Sequence, residues 1–199
     1  MTSPMTLPAA LAAACYATSL ALMAWLHLRF PAHDLWRDPV SDYGAVSASR
    51  PWFQANGVVG GVGGLLLAWA LAQAGLPDWI VGCLAASVLA RGLVAVFPTD
   101  LEGAPRTRAG RLHLLCAVAS FALVYTVIDN ATPLLAAALG GGWATALGAL
   151  RWVCAAGLTA LVACLVLRPL RGGFGLAERV FLIGVPLWFL CASLALALR

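Results

Sequence analysis

The sequence predicts an all-α polytopic membrane protein: a single domain, residues 1–199, forming a bundle of six transmembrane helices. Three observations predict it. Hydrophobic residues make up 62% of the chain and charged residues 10%, with a mean hydropathy of +0.92, whereas soluble proteins carry about 25% charged residues. Apolar runs recur along the chain, each near the ~20 residues that cross about 30 Å of hydrocarbon. Polar residues collect in a few segments, above all residues 36–57, WRDPVSDYGAVSASRPWFQANG, which lie between two apolar runs.

The first span, residues 7–30, has no basic segment ahead of it and no convincing small-residue cleavage pattern, so it reads as a retained helix rather than a signal peptide. The second, residues 52–75, holds Gly57, Gly60, Gly61, Gly63 and Gly64. Its pairs Gly57/Gly61 and Gly60/Gly64 have the spacing that lets helices approach closely. A dinucleotide loop would need a strand before these glycines and a third glycine where Leu66 stands. The third span, residues 78–97, opens at Asp78 and Trp79, is expected to stop at Pro98, and carries Arg91 inside it. That arginine is expected to snorkel toward the Pro98 end or to pair with a carboxylate inside the bundle.

The second polar segment, TDLEGAPRTRAGR over residues 99–111, leads to the fourth span, residues 112–131, with His113 in its first turn and Asp129, Asn130 and Pro133 expected to close it. A glycine hinge, residues 140–142, precedes the fifth span, residues 143–167, whose Arg151 is expected to pair with Asp129. The link RPLRGGFG leads to the sixth span, residues 176–198, with Glu178 and Arg179 in its first turn and a kink expected at Pro186. Trp52, Trp79 and Trp143 stand at span starts, where an interfacial aromatic belt places them. The six cysteines all fall in apolar runs without CxxC spacing and read as packing residues.

All twelve basic residues are arginines. Nine of them, Arg29, Arg37, Arg50, Arg106, Arg108, Arg111, Arg168, Arg171 and Arg179, flank the first, third and fifth connections. Those connections must share one end of an even-numbered bundle, and the positive-inside rule puts that end in the cytoplasm, with both termini on the other side of the cell membrane. The formal charge of +4 is no argument for a nucleic-acid partner.

At the basic end Asp42, Asp100 and His113 are candidate acid–base residues, and Arg91, Arg106, Ser41 and Tyr43 are candidates to hold an anionic headgroup. The plainer reading of the same residues is an ion-paired network that pins the loops to the helix ends, and it is the preferred one. His27, His33 and His113 are the residues that would have to bind a metal, but they lack HxxxH or HExxH spacing, so no metal and no cofactor is expected.

Three motifs in order, PVSDYG at residues 39–44, FPTD at 97–100 and AGRLH at 109–113, resemble the prokaryotic membrane-protein family known as domain of unknown function 998. The resemblance covers most of the chain. It implies a six-helix integral membrane protein and supplies no activity. The expected function is lipid binding, or service as an accessory subunit of a larger membrane complex, with membrane lipids, other subunits or a second copy as partners. The alternatives are a lipid-headgroup enzyme using Asp42, Asp100 and His113, and a small-solute transporter using Arg91. The lack of detectable inverted repeats speaks against transport.

Overall fold

The computed structural model describes residues 6–97, 99–100 and 105–199. Pro98, expected to stop the third span, and residues 101–104 of the second polar segment lie outside the described residues. So does nearly all of the segment ahead of the first span.

Helix α1 covers Thr6–Arg29, α2 is a single turn over Asp42–Ala45, α3 is Arg50–Gln73 and α4 is Asp78–Val96. Helix α5 is Arg108–Leu139, α6 is Gly141–Val166 and α7 is Phe174–Ala197, entered through a 3-10 segment, Arg168–Gly173. Among the described residues six helices are long and apolar enough to cross a membrane, all of these except α2, and the chain is a multi-pass membrane protein. The helices pack in chain order, α1 on α3, α3 on α4, and so on to α6 on α7, and α1 on α7 closes the ring. Short connections after α3 and α5 leave no room for anything but antiparallel neighbours. Helix α7 also touches α3 and α5 and is the most buried of the six, so it forms the inner wall of the bundle. Its Phe181, Trp188 and Phe189 join Tyr16, Leu71 and Ile128 in the main core.

Small residues set the closest contacts, and of the pairs their spacing suggested one member each, Gly61 and Gly64, packs on Val88 of α4. A Cβ on Gly157 of α6 would lie 2.7 Å from the Phe181 backbone nitrogen, so α6 and α7 touch backbone to backbone there. On α3, Gly63 abuts Cys15 of α1 and Gly64 abuts Val88 of α4, at 2.9 and 2.6 Å from the added Cβ, while Gly57 faces open space. Gly60 touches nothing closer than 3.7 Å, which leaves room beside it.

Helix α5 departs most from the sequence expectation. It runs on to Leu139 through Asp129, Asn130 and Pro133, the residues expected to end it. Pro133 removes one backbone donor, but the polar residues around it bond back into their own helix: Asn130 Nδ2 donates to the Thr126 carbonyl at 2.8 Å and Thr132 Oγ1 to the Ile128 carbonyl at 2.6 Å. The Thr132 hydroxyl also accepts from Trp188 Nε1 at 3.0 Å, which ties α5 to α7. The expected α5–α6 pair forms, with Arg151 Nε donating to Asp129 Oδ1 at 2.7 Å. The helix ends at Gly140, whose φ of +64° suits a residue without a Cβ, and α7 continues unbroken through Pro186.

Candidate functional site

The ends of α1, α4 and α6 and the starts of α3, α5 and α7 meet at the basic end of the bundle. The connection between α1 and α3 folds back on this end. Asp34 starts the turn by accepting the Trp36 and Arg37 amides on Oδ1, and Asp38 Oδ2 accepts the Asp34 amide in return. Val40 and Tyr43 then drop into an apolar cluster with Met23 and Leu26 of α1, flanked by Phe30, Phe53 and Leu182. Gly175 lets the loop backbone lie directly on α7, because a Cβ there would sit 2.6 Å from the Asp38 carbonyl oxygen.

Two charged residues of α7 lock the loop in place. Arg179 donates through NH1 to the carbonyls of Leu35, Asp38 and Gly175 at 3.0, 2.7 and 3.0 Å, and through Nε to His27 Nε2 at 2.9 Å. His27 in turn uses Nδ1–H on the Met23 carbonyl at 2.7 Å, so both of its ring nitrogens are engaged and neither is left for a metal. Buried Glu178 accepts the Val40 amide. Exposed Arg50 closes the far side of the loop on the Gly44 and Ala45 carbonyls. Among the described residues, the network expected at this end is therefore built mainly from charged side chains on backbone groups rather than from ion pairs.

The start of α5 is a cap. Thr107 has extended backbone and its hydroxyl accepts the Gly110 amide at 3.0 Å. Asp100 accepts both the Thr107 amide, at 2.9 Å, and the Thr107 hydroxyl, at 2.7 Å. A side chain on Gly110 would collide with the Asp100 carboxylate, so the glycine of the AGRLH motif makes the approach possible. These hydrogen bonds, with Arg106 and Arg111 nearby, hold the Asp100 carboxyl below its ordinary pKa. Two hydrogen bonds from the capping Thr107 thus occupy the carboxylate. His113, one turn further on, donates Nδ1–H to the Phe97 carbonyl at 2.8 Å, because a carbonyl can only accept. That bond ties α4 to α5 and makes Nε2 the nitrogen that carries the lone pair.

Beneath these caps lies a run of adjoining cavities. The widest, about 420 Å³, has Arg106, Arg111, Arg171 and Asp100 on its polar side and Leu114, Val118, Leu161 and Leu165 on its apolar side. Leu114 and Val118 are 48% and 47% exposed, so it opens sideways between α5 and α6. Ser41, His113 and Glu178 form its inner wall and also line a smaller cavity of about 50 Å³ that reaches Arg91. Ser41 and His113 border a third cavity of about 230 Å³ against Arg50 and Phe53. From Arg91 a fourth, about 60 Å³, continues inward to Tyr16, Ser19 and Asn56.

Of the residues singled out in the sequence, Ser41, Arg91, Asp100, Arg106 and His113 line these cavities. Asp42 and Tyr43 do not: both are buried under the loop, Tyr43 with no exposed surface and with His33 and His27 edge-on to its ring at 4.5 and 5.6 Å. His33 lies 3.9 Å from Asp38, and among the described residues no group of three or more His, Cys, Asp or Glu is placed to hold a metal ion. Arg91 neither snorkels nor meets a carboxylate among the described residues; NH2 donates to Asn56 Oδ1 at 3.1 Å. The Cα–Cβ bonds of α4 tilt toward its N-terminus, away from the basic end, and the guanidinium follows.

Sequence reasoning passed over Tyr16, Ser19, Asn56 and the structural weight of Glu178 and Arg179. The first two were legible as hydroxyl groups three residues apart on one face of an otherwise apolar span, and the last two as adjacent opposite charges inside one.

No curated protein and no solved structure matches the chain. A family model described as protein of unknown function (DUF998) matches residues 10–195, from the first helix to the last. Since that match covers nearly the whole of this six-helix ring and its capped basic end, the chain belongs to the DUF998 family.

Proposed function

We propose that this protein binds an anionic membrane lipid, with the headgroup among Arg106, Arg111 and Arg171 and the start of the acyl chain against α5 and α6. The observation that carries this reading is the two-sided lining of the widest cavity. Its polar wall offers three guanidinium groups suited to phosphate oxygens, and its apolar wall opens toward the surrounding lipid through Leu114 and Val118. A volume of about 420 Å³ is that of a small-ligand site and suits a headgroup rather than a whole lipid. With nine arginines at that end, the basic face is assigned to the cytoplasm.

The test is lipid co-purification. Protein extracted in mild detergent should retain anionic phospholipid detectable by native mass spectrometry. The double variant Arg106→Ala/Arg111→Ala should lose most of it while His113→Ala keeps it. Equal retention by wild type and double variant would overturn the reading.

A headgroup-modifying enzyme is the second reading, favoured by one observation: the Nδ1–H bond to Phe97 leaves Nε2 of His113 as the basic nitrogen in a wall shared with Ser41 and Glu178. The same preparations decide it. A bound lipid whose headgroup changes with time in wild type and not in His113→Ala indicates catalysis, and an unchanged lipid in both indicates binding alone.

A further inference from the structure

The deepest cavity does not depend on the lipid reading. It exists because one turn of α3 has hydrogens where side chains would be. A Cβ placed on Gly60 would lie 3.9 Å from Arg91 Nε, and one on Gly64 would lie 3.6 Å from the Tyr16 hydroxyl. The two positions are one turn apart, about 6 Å between Cβ sites. Both of the groups they face are buried donors without a partner among the described residues: Arg91 Nε and Tyr16 Oη. Asn56 is fully used, its Nδ2 donating to the Ser19 carbonyl at 2.7 Å and hydroxyl at 3.2 Å and its Oδ1 accepting from Arg91 NH2. Leu84, Phe181, Val185 and Phe189 give the lining its apolar part, and the hydroxyls of Ser87 and Ser120, which also line it, donate to the Leu84 and Ser87 carbonyls.

A guanidinium in such surroundings is costly unless an anion or several acceptors meet it, and Asn56 supplies one neutral acceptor. Among the described residues no carboxylate lies within ion-pair distance of Arg91. We infer that the Gly60–Gly64 turn of α3 forms, with Arg91 and Tyr16, a binding site for a single carboxylate group. One carboxylate oxygen takes Nε–H of Arg91 in a charge-assisted hydrogen bond and the other takes the Tyr16 hydroxyl, which matches two donors about one helical turn apart. The single negative charge balances the single cation. The carboxylate belongs to a small free acid or to the head of a fatty acid, and the apolar lining accepts the first carbons of either.

The experiment is thermal unfolding of the full chain in nonionic detergent, titrated with sodium acetate, sodium oleate or sodium chloride at matched ionic strength. Wild type should show a saturable rise in Tm with a carboxylate and none with chloride. Acetate and oleate both acting assigns the site to free acids, and oleate alone assigns it to a fatty acid. Gly60→Val, which fills the cavity, and Asn56→Asp, which gives Arg91 a built-in carboxylate, should both abolish the response while unfolding cooperatively. Tyr16→Phe should weaken it about tenfold, the loss of one hydrogen bond. Arg111→Ala, a change confined to the outer cavity, should leave it intact, so failure of the lipid reading is distinguishable from failure here. No saturable response in wild type, a response to chloride equal to that for acetate, or an undiminished response in both Gly60→Val and Asn56→Asp would overturn the inference.

Discussion

Arg179 and Arg91 are both guanidinium groups withdrawn into the bundle, and they differ in what meets them. Arg179 of α7 gives four hydrogen bonds to protein acceptors, three of them carbonyls that are fixed by the fold. Arg91 of α4 gives one, to an amide oxygen, and its Nε faces a cavity. Arg179 also has a buried NH2 without a partner among the described residues, yet it lines none of the four cavities described above. A buried charge with its donors spent on backbone is part of the scaffold. A buried charge with a donor left over and space in front of it is a candidate for binding.

The sharpest way to break this contrast is to remove each charge in turn. Arg179→Met should unfasten the first connection from α7 and lower stability by about 3 kcal/mol, because it leaves three carbonyls and His27 short of a donor. Limited proteolysis should then cut within residues 30–49. Arg91→Met should change stability by less than about 1 kcal/mol when no carboxylate is added, since replacing an under-satisfied buried charge with an apolar side chain is often neutral or better. Denaturant titration of both variants measures the difference, and equal losses would dissolve the distinction.

The smallest effect concerns the capped start of α5. The Asp100 carboxyl is held below its ordinary pKa of 3.8 by Thr107, so its ionised form stabilises the folded chain above about pH 3.8, and that contribution fades as pH falls through the lower folded value. Asp100→Asn should flatten this acid limb in a pH series of melting curves, and an unchanged limb would remove the carboxylate from the cap.

Much of this architecture was written in hydropathy. Long apolar runs gave the six spans, and the parity of their connections brought Ser41, Asp100, Arg106 and His113 to one end. Helix α5 runs past the end its sequence suggests because Asp129 and Asn130 find partners inside the bundle and Pro133 costs the helix one backbone donor without ending it. Asp42 and Tyr43 were misplaced relative to the cavities for a different reason. A loop that folds onto a bundle needs its own small core, and which of its residues turn inward depends on α1 and α7, far away in sequence. The Arg91 cavity was least legible, because it is made by absent side chains at Gly60 and Gly64, which local spacing reads as helix contact.

Helix α4 ends and α5 starts at the same basic end, but they are 19 and 32 residues long. At 1.5 Å per residue they reach about 28 Å and about 48 Å. A hydrocarbon slab near 30 Å matches the first and is overshot by the second, so α5 leans, projects, or thickens the lipid beside it. The rim of the molecule is therefore uneven, and a bilayer of graded thickness would both orient it and favour its thicker regions.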